Sequence, residues 1–154
     1  MITTELDIKE VLNDLDWDFQ NSTNEAIHSF HPYPAKFIPE IPRALIQNLP
    51  IPQNTIILDP FCGSGVTLVE AQKAGIESIG VDLNPIACIL SEVKTHPLDL
   101  RFLEIVSDII NKCNSYKGHI RIPLIPNLDH WFKKDIQNGL AILLSEVSKV
   151  SDES

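Results

Sequence analysis

Asn54-Thr55-Ile56-Ile57-Leu58-Asp59-Pro60-Phe61-Cys62-Gly63-Ser64-Gly65-Val66-Thr67 is the stretch from which the fold is read. Residues 54–58 are a short apolar, β-rich run of the kind that forms a strand buried on both faces of a parallel sheet. Residues 59–65 carry the glycines of a tight turn, and 66–73 read as a helix with Ala74-Gly75 as its stop. Residues 78–83 repeat the buried-strand pattern and end in Asp82. Asn84-Pro85 then supplies an N-cap and a proline for the first position of a helix running to about Lys94. Strand, helix, strand and helix in this order predict an α/β fold, part of a Rossmann-like doubly wound parallel sheet.

Outward from this unit the signals weaken. Pro32, Pro34, Pro39 and Pro42 make residues 28–43 a rigid, ordered loop that gives way to a helix from Pro39 to about Asn48. Residues 5–20 have the alternation of a short amphipathic helix or docked arm. Beyond Pro97, residues 100–111 read as a helix, 113–127 as irregular chain, and about 128–150 as one long amphipathic helix. The division expected is an N-terminal arm (1–27), a βα core (28–97) and a helical spacer or extension (98–154). Two strands are few for a doubly wound sheet, so the sheet is expected to be incomplete.

The turn has chemistry of its own. Glycines at the C-terminal end of a parallel strand let the backbone approach a ligand, and the following helix points free N–H groups and its positive end into the same crevice. Asp82 lies 17 positions beyond Gly65, about the spacing at which a carboxylate meets a ribose in nucleotide-binding crevices. A dinucleotide site favours a third glycine, but Leu68 stands in that place. Asp59 would repel a pyrophosphate and could instead accept from an α-ammonium group. S-adenosylmethionine, with an amino-acid end and an adenosine end, fits both acids. The plainer alternative is that Asp59 caps a turn and Asp82 caps a helix.

Asp59-Pro60-Phe61-Cys62-Gly63-Ser64-Gly65-Val66-Thr67 resembles the first S-adenosylmethionine motif of the DNA amino-methyltransferases, which modify adenine N6 or cytosine N4. His31-Pro32-Tyr33-Pro34-Ala35-Lys36-Phe37-Ile38-Pro39-Glu40 resembles that family's segment over the methionine end, and Gly80-Val81-Asp82-Leu83-Asn84-Pro85 its ribose- and adenine-binding loop. Trp131-Phe132 is similar to the start of the spacer before the family's catalytic half. The resemblance is close over about residues 28–95 and implies a class I methyltransferase fold with S-adenosylmethionine as cofactor. It implies that Asp59, Phe61, Cys62, Gly63, Ser64 and Gly65 line the methionine part, with Thr67 able to hydrogen-bond there. Asp82 would hold the ribose hydroxyls, Leu83 would pack on the adenine, and Lys36 and Phe37 would sit over the methionine end. By residue type alone Phe37 and Leu83 also suit plain core, and Lys36 a solvated surface.

The family positions the target amino group with a polar residue, two prolines and an aromatic. This sequence contains no Pro-Pro pair and so no such motif; no catalytic residue is assigned in it. Nor does it contain the Pro-Cys dipeptide of cytosine C5 chemistry, so Cys62 is not read as a nucleophile. The net charge of −9 offers no basic face for a phosphate backbone. The partners expected are therefore a complementary polypeptide carrying the catalytic and target-recognition parts, and DNA through the assembled enzyme. The alternatives are a non-catalytic cofactor-binding fragment or relic, and part of a tRNA guanosine N2-methyltransferase, which shares the motif order. The apolar runs are too short for a membrane span, and no leader pattern opens the chain, so a cytoplasmic location is expected. Five scattered histidines and three unpaired-looking cysteines give no metal expectation.

Overall fold

A computed structural model describes residues 5–19, 25–34, 36, 38–98 and 100–150. The chain divides into two compact units, the first ending at Pro97 and the second beginning at Leu98. The first holds α1 (Glu5–Asp14), α2 (Ala26–Ser29), α3 (Glu40–Asn48), β1 (Ile56–Asp59), α4 (Val66–Lys73), β2 (Glu77–Gly80) and α5 (Pro85–Thr95). The second holds α6 (Phe102–Ser115), α7 (Leu128–Trp131) and α8 (Lys134–Val147).

β1 and β2 form a two-stranded parallel sheet with Ile57 opposite Ser78 and Asp59 opposite Gly80, joined by α4 as a βαβ crossover. This mixed α/β arrangement agrees with the expected strand–helix–strand–helix order. Gly75, at φ +71, ends α4 in the left-handed region that glycine enters without strain. Asn84 caps α5 by accepting from the Ile86 N–H at 3.0 Å, and Pro85 fills the first helical turn. α4 packs on the strand face bearing Gly80, where any Cβ would lie 2.6 Å from Leu68 Cδ1 and 2.9 Å from Cys62 Sγ. Val66, Leu68, Val69 and Ala71 of α4, with Ala87 and Leu90 of α5, make the core of this unit. Ile56, Leu58 and Ile79 project from the opposite sheet face and are 52%, 61% and 52% exposed.

Three expectations need amendment. The strands expected to be buried on both faces are, among the described residues, covered by α4 on one face only, and the face bearing Ile56, Leu58 and Ile79 is exposed. The proline-rich region is not all loop before α3, because its first residues, His28 and Ser29, belong to the single turn α2. The helix expected over 128–150 is two helices: Phe132 and Lys133 adopt extended angles, and Gln137 Nε2 donates to the Phe132 carbonyl at 2.8 Å, satisfying the acceptor that the break exposes. In the second unit α6 packs along α8, with Ala141 buried. No helix among the described residues is long and apolar enough to cross a membrane.

Candidate functional site

The C-terminal ends of β1 and β2 lie side by side, so the turns that leave them share one crevice. The Val81 N–H donates to the Asp59 carbonyl at 2.9 Å and the Cys62 N–H to the Val81 carbonyl at 3.0 Å, carrying the pairing past the strands. Asp59 Oδ1 accepts from the Phe61 N–H at 3.1 Å, closing the turn locally. Gly63 and Gly65 have φ of +49 and +78, which L side chains adopt only with strain. Gly65 is fixed from a second side: a Cβ there would lie 2.7 Å from Ser91 Cβ and 2.8 Å from Ser91 Cα on α5.

Asp82 ties the two turns together. One carboxylate oxygen accepts from the Gly63 N–H at 2.9 Å and the other from the Asn84 N–H at 2.8 Å. Each oxygen keeps a lone pair for a ligand hydroxyl. Tyr33 lies across this junction: its ring stands against Gly63, with a Cβ there 3.3 Å from Tyr33 Cε1, and its hydroxyl accepts from Asn84 Nδ2 at 3.4 Å. Tyr33 thus brings its segment to the border of the crevice.

Leu83 is fully exposed and Phe61 is 85% exposed, each next to the loop it was assigned to. Cys62 and Ser64 are buried. Burial pushes the Cys62 thiol up, so it is held neutral. Lys36 donates from Nζ to the His28 carbonyl at 2.6 Å, within its own segment. Thr67 is set apart from the others: it lines an apolar groove of about 270 Å³ with Ile41, Leu45, Leu49 and Ile57. Phe37 lies outside the described residues.

The sequence reading missed Tyr33 as a site residue, and it missed a charged network beneath α4. Glu70, almost wholly buried, bonds His28 Nε2 at 2.8 Å through Oε1 and accepts from Arg43 Nε at 2.7 Å through Oε2. Lys73 donates to Glu70 at 2.9 Å and also pairs with Glu25, which Arg43 reaches in turn. Burial alone would raise the Glu70 carboxyl, but hydrogen bonds from Arg43, Lys73 and His28 reverse this and hold it at about 2. Glu25, His28 and Glu70 bring ligand-type atoms within 4.8 Å of one another. Arg43 and Lys73 already neutralise these carboxylates and would repel a metal ion, so the cluster is a structural latch. It joins α2 and α3 to α4, and so positions the segment bearing Tyr33 and Lys36. No local pattern announces it, because Glu70 stands 42 residues from His28 and 27 from Arg43.

S-adenosylmethionine fits this set of residues. The two turns present acids at the strand ends, close backbone approach at Gly63 and Gly65, and a buried Ser64 hydroxyl oxygen without a hydrogen-bond partner among the described residues.

Comparison with known proteins agrees. A family described as DNA methylase, of the N6 and N4 type, matches residues 5–92. Type II methyltransferase M.MjaII of Methanocaldococcus jannaschii is 35% identical over 113 residues, covering 69% of this chain and 21% of its own. Type II methyltransferase M.MvaI of Kocuria varians is 28% identical over 143 residues, covering 86% of this chain and 32% of its own. A tRNA (guanine(10)-N2)-dimethyltransferase of Methanocaldococcus jannaschii is 35% identical over 66 residues, covering 43% of this chain and 18% of its own. The chain therefore spans no more than about a third of the length of these relatives. No solved structure matches. With the motif order, the paired strand ends and the matched family in agreement, the chain belongs to the DNA amino-methyltransferases of the N6 and N4 type.

Proposed function

We propose that this chain is the S-adenosylmethionine-binding portion of a DNA methyltransferase that acts on an exocyclic amino group, adenine N6 or cytosine N4. The observation that carries the reading is the junction at Asp82, where one carboxylate organises two turns over adjacent parallel strand ends. Asp82 would hold the ribose, Leu83 the adenine, and Asp59 with the Gly63–Gly65 backbone the methionine end. The cofactor, when bound, supplies an electrophilic methyl group. This chain's residues bind and orient it: Tyr33 borders the Gly63 turn, and the Glu70 latch fixes the segment that bears Tyr33.

We assign the catalytic motif and the DNA grip to a part of the enzyme outside these residues, and propose that a complementary polypeptide carries it. Three features support a part outside these residues. The sequence contains no Pro-Pro pair, and its net charge is −9. The relatives extend far beyond the matched region. The sheet face bearing Ile56, Leu58 and Ile79 is largely exposed, as is expected of a surface that another sheet element or helix covers. A second reading, a tRNA guanosine N2-methyltransferase portion, is favoured by the tRNA-modifying relative that matches over 66 residues.

Incubation with methyl-tritiated S-adenosylmethionine and unmethylated DNA, or with tRNA, tests the assignment. The expected result is label retained on the protein and none transferred to either nucleic acid. Transfer to DNA by the chain alone would contradict the need for a complementary polypeptide, and transfer to tRNA would favour the second reading. Failure of the folded chain to retain label would remove the cofactor assignment.

A further inference from the structure

Lys94 is a charged residue in a place that normally excludes one. It continues the buried stripe Ala87, Leu90 and Ser91 along α5 and is only 6% exposed. Its Nζ donates to the Ser64 carbonyl at 3.0 Å, in the middle of the Gly63–Gly65 turn. An ammonium has three N–H donors, and that carbonyl uses one. Among the described residues no carboxylate pairs with Lys94; the neighbouring charge is the cation of Lys36. Burial first, and Lys36 second, push the Lys94 ammonium below its usual range.

The same spot holds other unmatched donors. Ser64 is 1% exposed, and its hydroxyl has no hydrogen-bond partner among the described residues. α4 begins two residues later, at Val66, so its first-turn N–H groups and positive end face this turn. Donors and positive charge thus gather at Ser64, between the two glycines of the turn, while Asp59 and Asp82 stand at the strand ends. A buried ammonium without a counter-charge is strongly unfavourable, and an anion at this point would remove that cost. S-adenosylmethionine has one anionic group, the carboxylate of its amino-acid end.

We propose that Lys94, together with the Ser64 hydroxyl, is the receptor for the cofactor's carboxylate, an assignment that rests on the cofactor reading above. Lys36 lies close enough to add its field. The opposed charges would then fix the direction of the amino-acid end, with the carboxylate towards Lys94 and the ammonium towards Asp59.

Calorimetric titration with S-adenosylmethionine and with decarboxylated S-adenosylmethionine tests this, because the two ligands differ only by the carboxylate. The wild-type chain should prefer the carboxylated ligand by about 10- to 100-fold, the range of one charge-assisted hydrogen bond. Lys94→Gln keeps a donor for the Ser64 carbonyl and removes the charge; Lys94→Met removes both. Both variants should lose most of that preference and bind the decarboxylated ligand within about threefold of wild type, a range smaller than one such bond. Equal weakening of both ligands would show that Lys94 only pins the turn, and equal wild-type affinities would show that no carboxylate receptor exists; either overturns the proposal. If Lys94→Met fails to fold by circular dichroism, the wild-type comparison and Lys94→Gln still decide it. Binding of neither ligand by wild type would instead remove the cofactor reading itself.

Discussion

Replacing Glu70 by Gln withdraws one negative charge from beneath α4, and two routes give the size of the effect. Removing one partner of a buried ion pair costs about 3–5 kcal/mol. The lower end applies here, because the Arg43 and Lys73 side chains are 28% and 40% exposed and can turn to Glu25 or water. Independently, the network holds the Glu70 carboxyl at about 2 against an ordinary 4.5, a difference worth roughly 3 kcal/mol. The sign follows from the depressed value. The stabilisation is fully present above pH 4.5 and is lost as pH falls through 2, where the folded protein must also take up the proton. Glu70→Gln should therefore be about 3 kcal/mol less stable than wild type at pH 7, and the gap should close towards pH 2. Urea unfolding followed by Trp17 fluorescence in a Trp131→Phe background reads only the unit that contains Glu70. A gap below about 1 kcal/mol at pH 7, the level of an exposed pair, would refute the reasoning. So would a gap that stays constant down to pH 2.5.

Two further outcomes follow from the turn itself. Gly65→Ala places a Cβ at φ +78 and 2.8 Å from Ser91 Cα, which should lower stability by about 3 kcal/mol and weaken cofactor binding at least about tenfold; thermal denaturation and calorimetry read both, and a variant that melts with wild type would count against the turn geometry. Cys88 is exposed whereas burial raises the Cys62 thiol, so a thiol reagent at pH 8 should label Cys88 first and Cys62 only on unfolding. Peptide mapping showing Cys62 modified as fast as Cys88 would contradict the packing around Gly80.

The parts of the fold that were legible are those whose signals are local. Gly75 ends α4 and Asn84-Pro85 starts α5 through their own backbone preferences, and both boundaries fall where those residues stand. α2 was not legible, because a four-residue helix has no periodicity to detect. The break at Phe132 and Lys133 was hidden by an apolar pattern that continues across it. For the candidate site, the gathering of Asp59, Gly63, Gly65 and Asp82 was readable from spacing, since each stands at a strand end or in the turn that follows it. The Glu70 latch was not, because its partners are brought together only by packing of α2 and α3 on α4. Lys94 lay between these cases: its place on the Ala87, Leu90 and Ser91 stripe marks it as buried, but only the folded chain shows the Ser64 carbonyl as its acceptor. Thr67 belongs to the motif by sequence and to the groove beneath α3 by position.

The central claim is a cofactor site built on Asp82, and calorimetric titration of S-adenosylmethionine into wild type and Asp82→Ala tests it most directly. Wild type should bind saturably at one site. The variant should lose it while remaining folded by circular dichroism, because it lacks both the ribose acceptor and the tie between Gly63 and Asn84. Equal binding by the two proteins, or none by a folded wild-type chain, would contradict it.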